Sequence, residues 1–244
     1  DFTIFKYKFL LDSLKSKDYS FYTVCDYISK PLDKCILLRH DVDLLPYNSL
    51  SFAKIQSDLG IKGTYYFRSI PESWDEKVIK EINSLDHEVG YHYETMDTAN
   101  GDIDKAWDLF RFNLDRLRSL VGVKTICMHG SPKSKFDNRE LWNKYDYRTL
   151  GIIGEPYYDI NFDNTFYLTD TGRRWDGWKY SLRDKVPQQQ DWIKKGLVFR
   201  STDDLIVAIK NNVLPRNTMF TMHPQRWTNM KGLWLKELFF QNIK

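Results

Sequence analysis

Apolar positions along this chain fall into short blocks that switch between two periods. Phe5, Phe9, Leu10 and Leu14 recur at helical spacing, which predicts an amphipathic helix over 2–17 with those four on its buried face. A second short helix is expected over 23–29, stopping before Pro31. Ile36 to Leu38 are a continuous apolar run, as expected of a strand covered on both faces. Leu50, Ala53, Ile55 and Leu59 then predict a helix over 47–59, with Gly60 as its C-cap. The alternation continues with a strand at 62–67, a helix at 76–85, a strand at 87–92, a helix at 103–120 and a strand at 124–128. Past Pro132 it blurs: a helical turn at 137–142, strands at 145–153 and 166–169, and strand-like residues at Val198 and Phe199. A helix with capping-box character opens at Ser201 and runs through Lys210, and a last strand covers 217–222.

Short strands alternating with helices are the pattern of a parallel sheet with helices outside it, so the fold class is α/β. At 244 residues, with no repeat or low-complexity linker, the chain reads as a single domain. Its composition is that of an ordinary globular protein, 42% hydrophobic and 28% charged. The net charge of +3 is small and dispersed, so no nucleic-acid partner is expected, and no apolar run is long enough for a membrane span. Cys25, Cys35 and Cys127 are odd in number and lack CxxC spacing. They read as reduced thiols, which favours a cytoplasmic protein.

The chemistry gathers where predicted strands end. Arg39, His40, Asp41 and Asp43 follow the run 36–38 within five positions, and buried charge is costly unless it is paired or bound to metal. On a continuing strand Asp41 and Asp43 share one face, so one can hold a metal while the other serves as a base. Four of the five histidines, His40, His92, His129 and His223, stand at C-terminal ends of predicted strands, and such ends converge on one rim if the sheet closes. A hydrolytic zinc site needs about three nitrogen or oxygen ligands and an open position for water. Asp43 and His92 are the first two; the third is His129, or Glu94 as the alternative. Asp41 then suits the base and His223 the acid. Arg39, Asp170, Arg173, Trp175 and Trp227 complete the set as substrate-binding residues. Arg39, Asp170 and Arg173 are also able to orient the reacting groups, and Arg173 with Arg174 suits an anionic substrate group.

In motif order over Lys34 to Trp227 these residues resemble the polysaccharide deacetylases of carbohydrate esterase family 4, the NodB-homology domain. His40-Asp-Val-Asp43 is similar to the first motif, Asp86-His-Glu-Val-Gly-Tyr-His92 to the second, His129-Gly-Ser-Pro132 stands where the third is expected, and His223-Pro224 matches the last. Trp175, in the aromatic and basic loop 170–178, is the counterpart of a tryptophan wall. The resemblance implies a distorted (β/α) barrel over 34–227 behind an N-terminal helical extension at 1–33. It also implies one divalent metal ion, zinc, and removal of an acetyl group from an N-acetylated sugar during surface-polysaccharide synthesis. One position departs: where the family carries a second metal histidine, four residues after the first, this chain has Met96, a soft and weak donor. The competing readings are a glycan-binding module that has lost its metal and, from Asp-x-Asp, a cation-dependent glycosyltransferase. The latter would place the motif after a domain-sized nucleotide-binding unit and not at position 41.

Overall fold

The structure is a computed structural model, and it describes residues 1–130, 134–176, 181 and 185–242. Helix α1 (Ile4–Lys15) opens on Thr3, whose hydroxyl accepts from the Lys6 amide at 3.1 Å. Its buried stripe is Tyr7, Leu10, Leu11 and Leu14, whereas Phe5 is 74% exposed, so the helix is rotated from the expected phase. The reason is polar: the Tyr7 hydroxyl accepts from Gln56 in the core, a bond that hydrophobic periodicity cannot register.

Strand β1 (Ser20–Tyr22), a short element with no periodic signal, precedes α2 (Val24–Ser29) inside the stretch read as a helical extension. Next come β2 (Cys35–Val42), α3 (Pro46–Asp58), β3 (Thr64–Phe67), α4 (Glu76–Ser84), β4 (Glu88–Tyr93), α5 (Thr95–Thr98), α6 (Ile103–Arg118) and β5 (Ile126–Met128). The second half carries α7 (Pro156–Asp159), β6 (Phe166–Thr169), α8 (Gln189–Lys194), α9 (Thr202–Lys210), β7 (Thr218–Met222) and α10 (Lys231–Asn242). The region 145–153 is not a strand. Asp146 caps a 3-10 turn over Tyr147–Leu150 that ends at Gly151 with φ +70°, and only Gly154 bridges to Thr125. Val198 and Phe199 also stay outside any strand.

All paired strands are parallel, in the order β5-β4-β3-β2-β7-β6. One edge of β2 is shared in succession, by β1 opposite Cys35 to Leu37 and by β3 opposite Arg39 to Val42. All eight β2 residues are buried, which matches a central strand covered on both faces. The sheet curls strongly. In a flat sheet β5 and β7, four strand spacings apart, would stand about 19 Å from each other. Instead the imidazoles that follow these two strands flank one carboxylate, with His129 Nε2 3.7 Å and His223 Nε2 3.8 Å from Asp43 oxygens. The result is the distorted (β/α) barrel expected from the sequence, with β5 and β6 as its open edges among the described residues. Close packing inside the curl leaves no room for a side chain at Gly90, where a Cβ would stand 2.3 Å from the Tyr66 ring.

Candidate active site

The two-residue alternation of β2 sorts its charged end into two layers. His40 points outward to the helices: it stacks on Tyr65 at 4.2 Å, its Nδ1 meets the Thr64 carbonyl at 3.0 Å, and its Nε2 meets Gln56 Nε2 at 2.9 Å. Arg39 and Asp41 take the opposite face. Register carries that inner face across the sheet, since His92 lies beside Cys127 and Arg39 beside Thr221. His129 and His223, two residues beyond these partners, therefore turn inward as well. Three of the four strand-end histidines thus meet at one rim. His40, expected with them, is a core residue, and burial drives its pKa down to about 3.

Asp43, one residue past β2, is the centre of the arrangement. Its Oδ1 is buried with no hydrogen-bond partner among the described residues, and it lies 3.7 Å from both His92 Nε2 and His129 Nε2. Its Oδ2 accepts from Gln225 Nε2 at 3.2 Å. His92 is anchored through its other ring nitrogen, Nδ1, which meets the Cys127 carbonyl at 2.9 Å, whereas His129 Nδ1 lies 2.9 Å from Glu94 Oε2 without hydrogen-bond geometry. In His92 an Nδ1–H that donates to this carbonyl leaves the Nε2 lone pair toward Asp43. Burial, and next the neighbouring His129, push the His92 pKa down to about 3, so its ring is neutral near pH 7.

Beside this centre Asp41 is held by Arg39 through two bonds, Nε to Oδ1 at 2.8 Å and a terminal nitrogen to Oδ2 at 2.6 Å, and both side chains are buried. Asp41 Oδ2 lies 3.6 Å from His92 Nε2. On the other side His223 Nδ1 meets Asp170 Oδ1 at 2.6 Å, and the Trp227 indole donates to Asp170 Oδ2 at 2.7 Å. Burial and the Arg226 charge oppose protonation of His223, but the Asp170 and Asp43 carboxylates outweigh them, and its pKa is raised above the ordinary 6.5. The protonated ring therefore persists to higher pH in the fold. This contribution to stability is complete below pH 6.5 and is lost as pH rises through the raised value. Asp170→Asn is expected to move the His223 titration to lower pH, as followed by NMR of its ring protons; an unmoved midpoint would show that Asp170 does not govern the ring.

The residues expected to touch substrate divide differently. Arg39 and Asp170 are fully buried and paired with Asp41 and His223, so they orient those groups; one terminal nitrogen of Arg39 is left without a hydrogen-bond partner among the described residues. Trp175 is 1% exposed, packed against Phe220 and Phe2, and its indole donates to Thr202. It is a core residue and not a wall of the site. Trp227 is equally buried and acts through Asp170. Arg173 lies under α10, donating to the Trp234 carbonyl at 2.7 Å, and Arg174 pairs with Asp176. Arg173 is spent on these contacts because Trp175, two residues on, turns inward to the core. His87 is structural too, bridging the Gly63 amide and the Ala53 carbonyl. Met96 is buried in α5 with its amide bound by Asn138, and His129 reaches the rim from the end of β5. Ser131, Pro132 and Trp178 lie outside the described residues.

Arg68, Gln225 and Arg226 join the site without having been expected. Gln225 and Arg226 stand two and three residues past His223, so nearness to a strand-end histidine was their available signal. Arg68 follows β3 in the same way as Asp43 follows β2. A cleft of about 420 Å³ opens beside His129, lined by Arg68, Glu94, Asp97, Asn100, Lys135 and Phe136.

Asp43, His92 and His129 match a divalent metal in donor type, in the bare, buried Oδ1 and, for His92, in tautomer. Their spacing is wide. Donors bound to tetrahedral zinc lie about 3.3 Å apart, against 3.7 Å here, and among the described residues no three such side chains are drawn together at metal-bound spacing.

No family model and no curated protein matches the chain. Among solved structures it is similar to a pseudoenzyme of carbohydrate esterase family 4 from Bacillus anthracis, with 15% identity and a TM-score of 0.47 over 88% of this chain and 63% of that one. It therefore spans less than two thirds of that protein's length. It is also similar to a family 4 carbohydrate esterase from the same organism (10% identity, TM-score 0.42, 95% of this chain and 83% of that one). A third is PdaA of Bacillus subtilis, a family 4 carbohydrate esterase, with 11% identity and a TM-score of 0.41 over 96% and 84%.

Proposed function

We propose that this barrel is a metal-dependent N-deacetylase that removes the acetyl group from an N-acetylated sugar in surface-polysaccharide synthesis. The observation that carries the reading is the unpartnered Asp43 Oδ1 facing two Nε2 atoms at 3.7 Å, with a carboxylate–guanidinium pair on one flank and a carboxylate–imidazole pair on the other. Asp43, His92 and His129 would hold the metal, zinc by donor type. A bound divalent cation supplies Lewis-acid polarisation of the acetyl carbonyl and a lowered pKa for attacking water. Asp41, oriented by Arg39, takes the proton from the water that adds to the carbonyl carbon. His223, held protonated by Asp170, gives its proton to the sugar nitrogen as the C–N bond breaks, releasing acetate and the free amine. The cleft beside His129 would receive the sugar, with Phe136 as an apolar face and Asp97 and Asn100 as hydrogen-bonding groups.

The wide donor spacing favours a second reading, a glycan-binding protein that works without a metal. Elemental analysis of protein purified without chelators, together with acetate release from N-acetylglucosamine oligomers, separates the two. About one divalent metal per chain, with turnover abolished by chelation, is the expected result. No metal after incubation with zinc, cobalt or nickel, together with retained binding of the oligomers, would leave the glycan-binding reading in its place.

A further inference from the structure

We infer that α10 is a membrane-docking helix, which lays its outer face, with Phe5 and Met230 beside it, in the plane of an anionic lipid surface. Such a contact is independent of any metal and of turnover at the rim. The helix is apolar on two sides. Inward, Trp234 is half-buried: its indole donates to the Asp1 carbonyl at 2.7 Å, and the Arg173 guanidinium lies 4.4 Å from its ring centroid. Outward, Leu233, Leu235 and Phe239 are each at least 50% exposed. A helix that is apolar all round is expected to be covered on every side. Leu235 and Phe239, four positions apart, form one strip; Lys231 opens it a turn earlier, and Lys236 borders it. Met230 is exposed at the entrance to the helix, and the neighbouring Asn229 side chain accepts from the amide of Phe5, itself exposed, at 3.3 Å. The apolar surface thus continues onto the first turn of α1, with the exposed Lys8 a turn further on.

Charge and length select the occupant. Lys8, Lys231 and Lys236 are exposed, and among the described residues none of them is paired with an acid. The acid of α10, Glu237, is half-buried within the electrostatic reach of Arg173. The outer face therefore offers lysines to anionic headgroups and apolar side chains to the acyl boundary, the combination an interfacial helix uses. A second copy on the same strip would bring two sets of lysines together, with no exposed acid on α10 to meet them. At 12 residues α10 is about 18 Å long, short of the roughly 30 Å of a bilayer core, so it lies along the surface and does not cross. Docking there holds the rim close to the bilayer. Arg226, four positions before Met230, donates to the Asp170 carboxylate, and Arg173, three positions after Asp170, donates to the Trp234 carbonyl.

The test is co-sedimentation of the full chain with vesicles of phosphatidylcholine alone and of phosphatidylcholine with phosphatidylglycerol in equal parts. Wild type is expected to pellet with the mixed vesicles at about 0.1 M salt and to bind phosphatidylcholine alone more weakly. Lys231→Gln/Lys236→Gln is expected to lower the partition coefficient on the mixed vesicles by about fivefold per lysine and to leave binding to phosphatidylcholine unchanged. Leu235→Ser/Phe239→Ser is expected to lower it by about tenfold or more on both. All four side chains are exposed, so both variants are expected to melt within about 2 °C of wild type. Should the serine variant melt lower, the lysine variant, which removes no apolar contact, decides. Wild type left in the supernatant of the mixed vesicles overturns the inference, as does a lysine variant that binds them as wild type does. A wild-type dimer in sedimentation velocity that Leu235→Ser/Phe239→Ser dissolves would overturn it too, and assign the face to a second copy.

Discussion

Asp41→Asn is expected to slow acetate release by about 10²- to 10⁴-fold, the usual contribution of a general base, while leaving metal content at the wild-type level. The substitution keeps the shape of the side chain and one acceptor for Arg39, and it removes the group able to take a proton from water. Asp43 and His92 do not depend on Asp41 for a hydrogen bond, since their partners are Gln225 and the Cys127 carbonyl, and His129 makes its close contact with Glu94. Initial rates of acetate release and metal stoichiometry, measured on the same preparation, check both halves. Retained turnover would sink Asp41 as the base, and loss of metal together with turnover would make it a ligand.

Arg39→Met is expected to produce the largest loss of stability of any single change at this rim. The Arg39 and Asp41 side chains are 0% and 3% exposed and pair at 2.6 Å. Removing one partner leaves an uncompensated buried charge, at a cost of about 3–5 kcal/mol. For a chain of this size that corresponds to about 2–4 °C of melting temperature per kcal/mol. Arg39→Met/Asp41→Leu is expected to recover most of the loss, because an apolar pair of similar volume needs no partner. Thermal melts of wild type, single and double variants test this. A single variant melting within about 2 °C of wild type would mean that water or a rearranged neighbour compensates Asp41.

The two expectations draw on different kinds of information. Which strand carries the chemistry was legible from the chain alone: an apolar run from Ile36 to Leu38 that turns abruptly into Arg39, His40, Asp41 and Asp43 is a local pattern, set by the cost of burying charge. The parallel α/β order, the strand-end positions of His92, His129 and His223, and the shared face of Asp41 and Asp43 follow from short-range periodicity in the same way. The opposite face of His40 was also implied by that alternation.

What the tertiary structure alone decided is which distant groups meet. Glu94 reaches His129 across 35 positions, Asp170 reaches His223 across 53, and Trp227 returns to Asp170 across 57. No window of sequence contains such pairs; they arise because the sheet curls and brings the ends of separate strands to one rim. The same curl determined that Trp175 and Arg173 fill the space under α10 and the core, while Arg68 and Gln225, ordinary loop residues by sequence, face the centre. Local pattern determined where charge had to surface, and packing determined what each charge was given to hold.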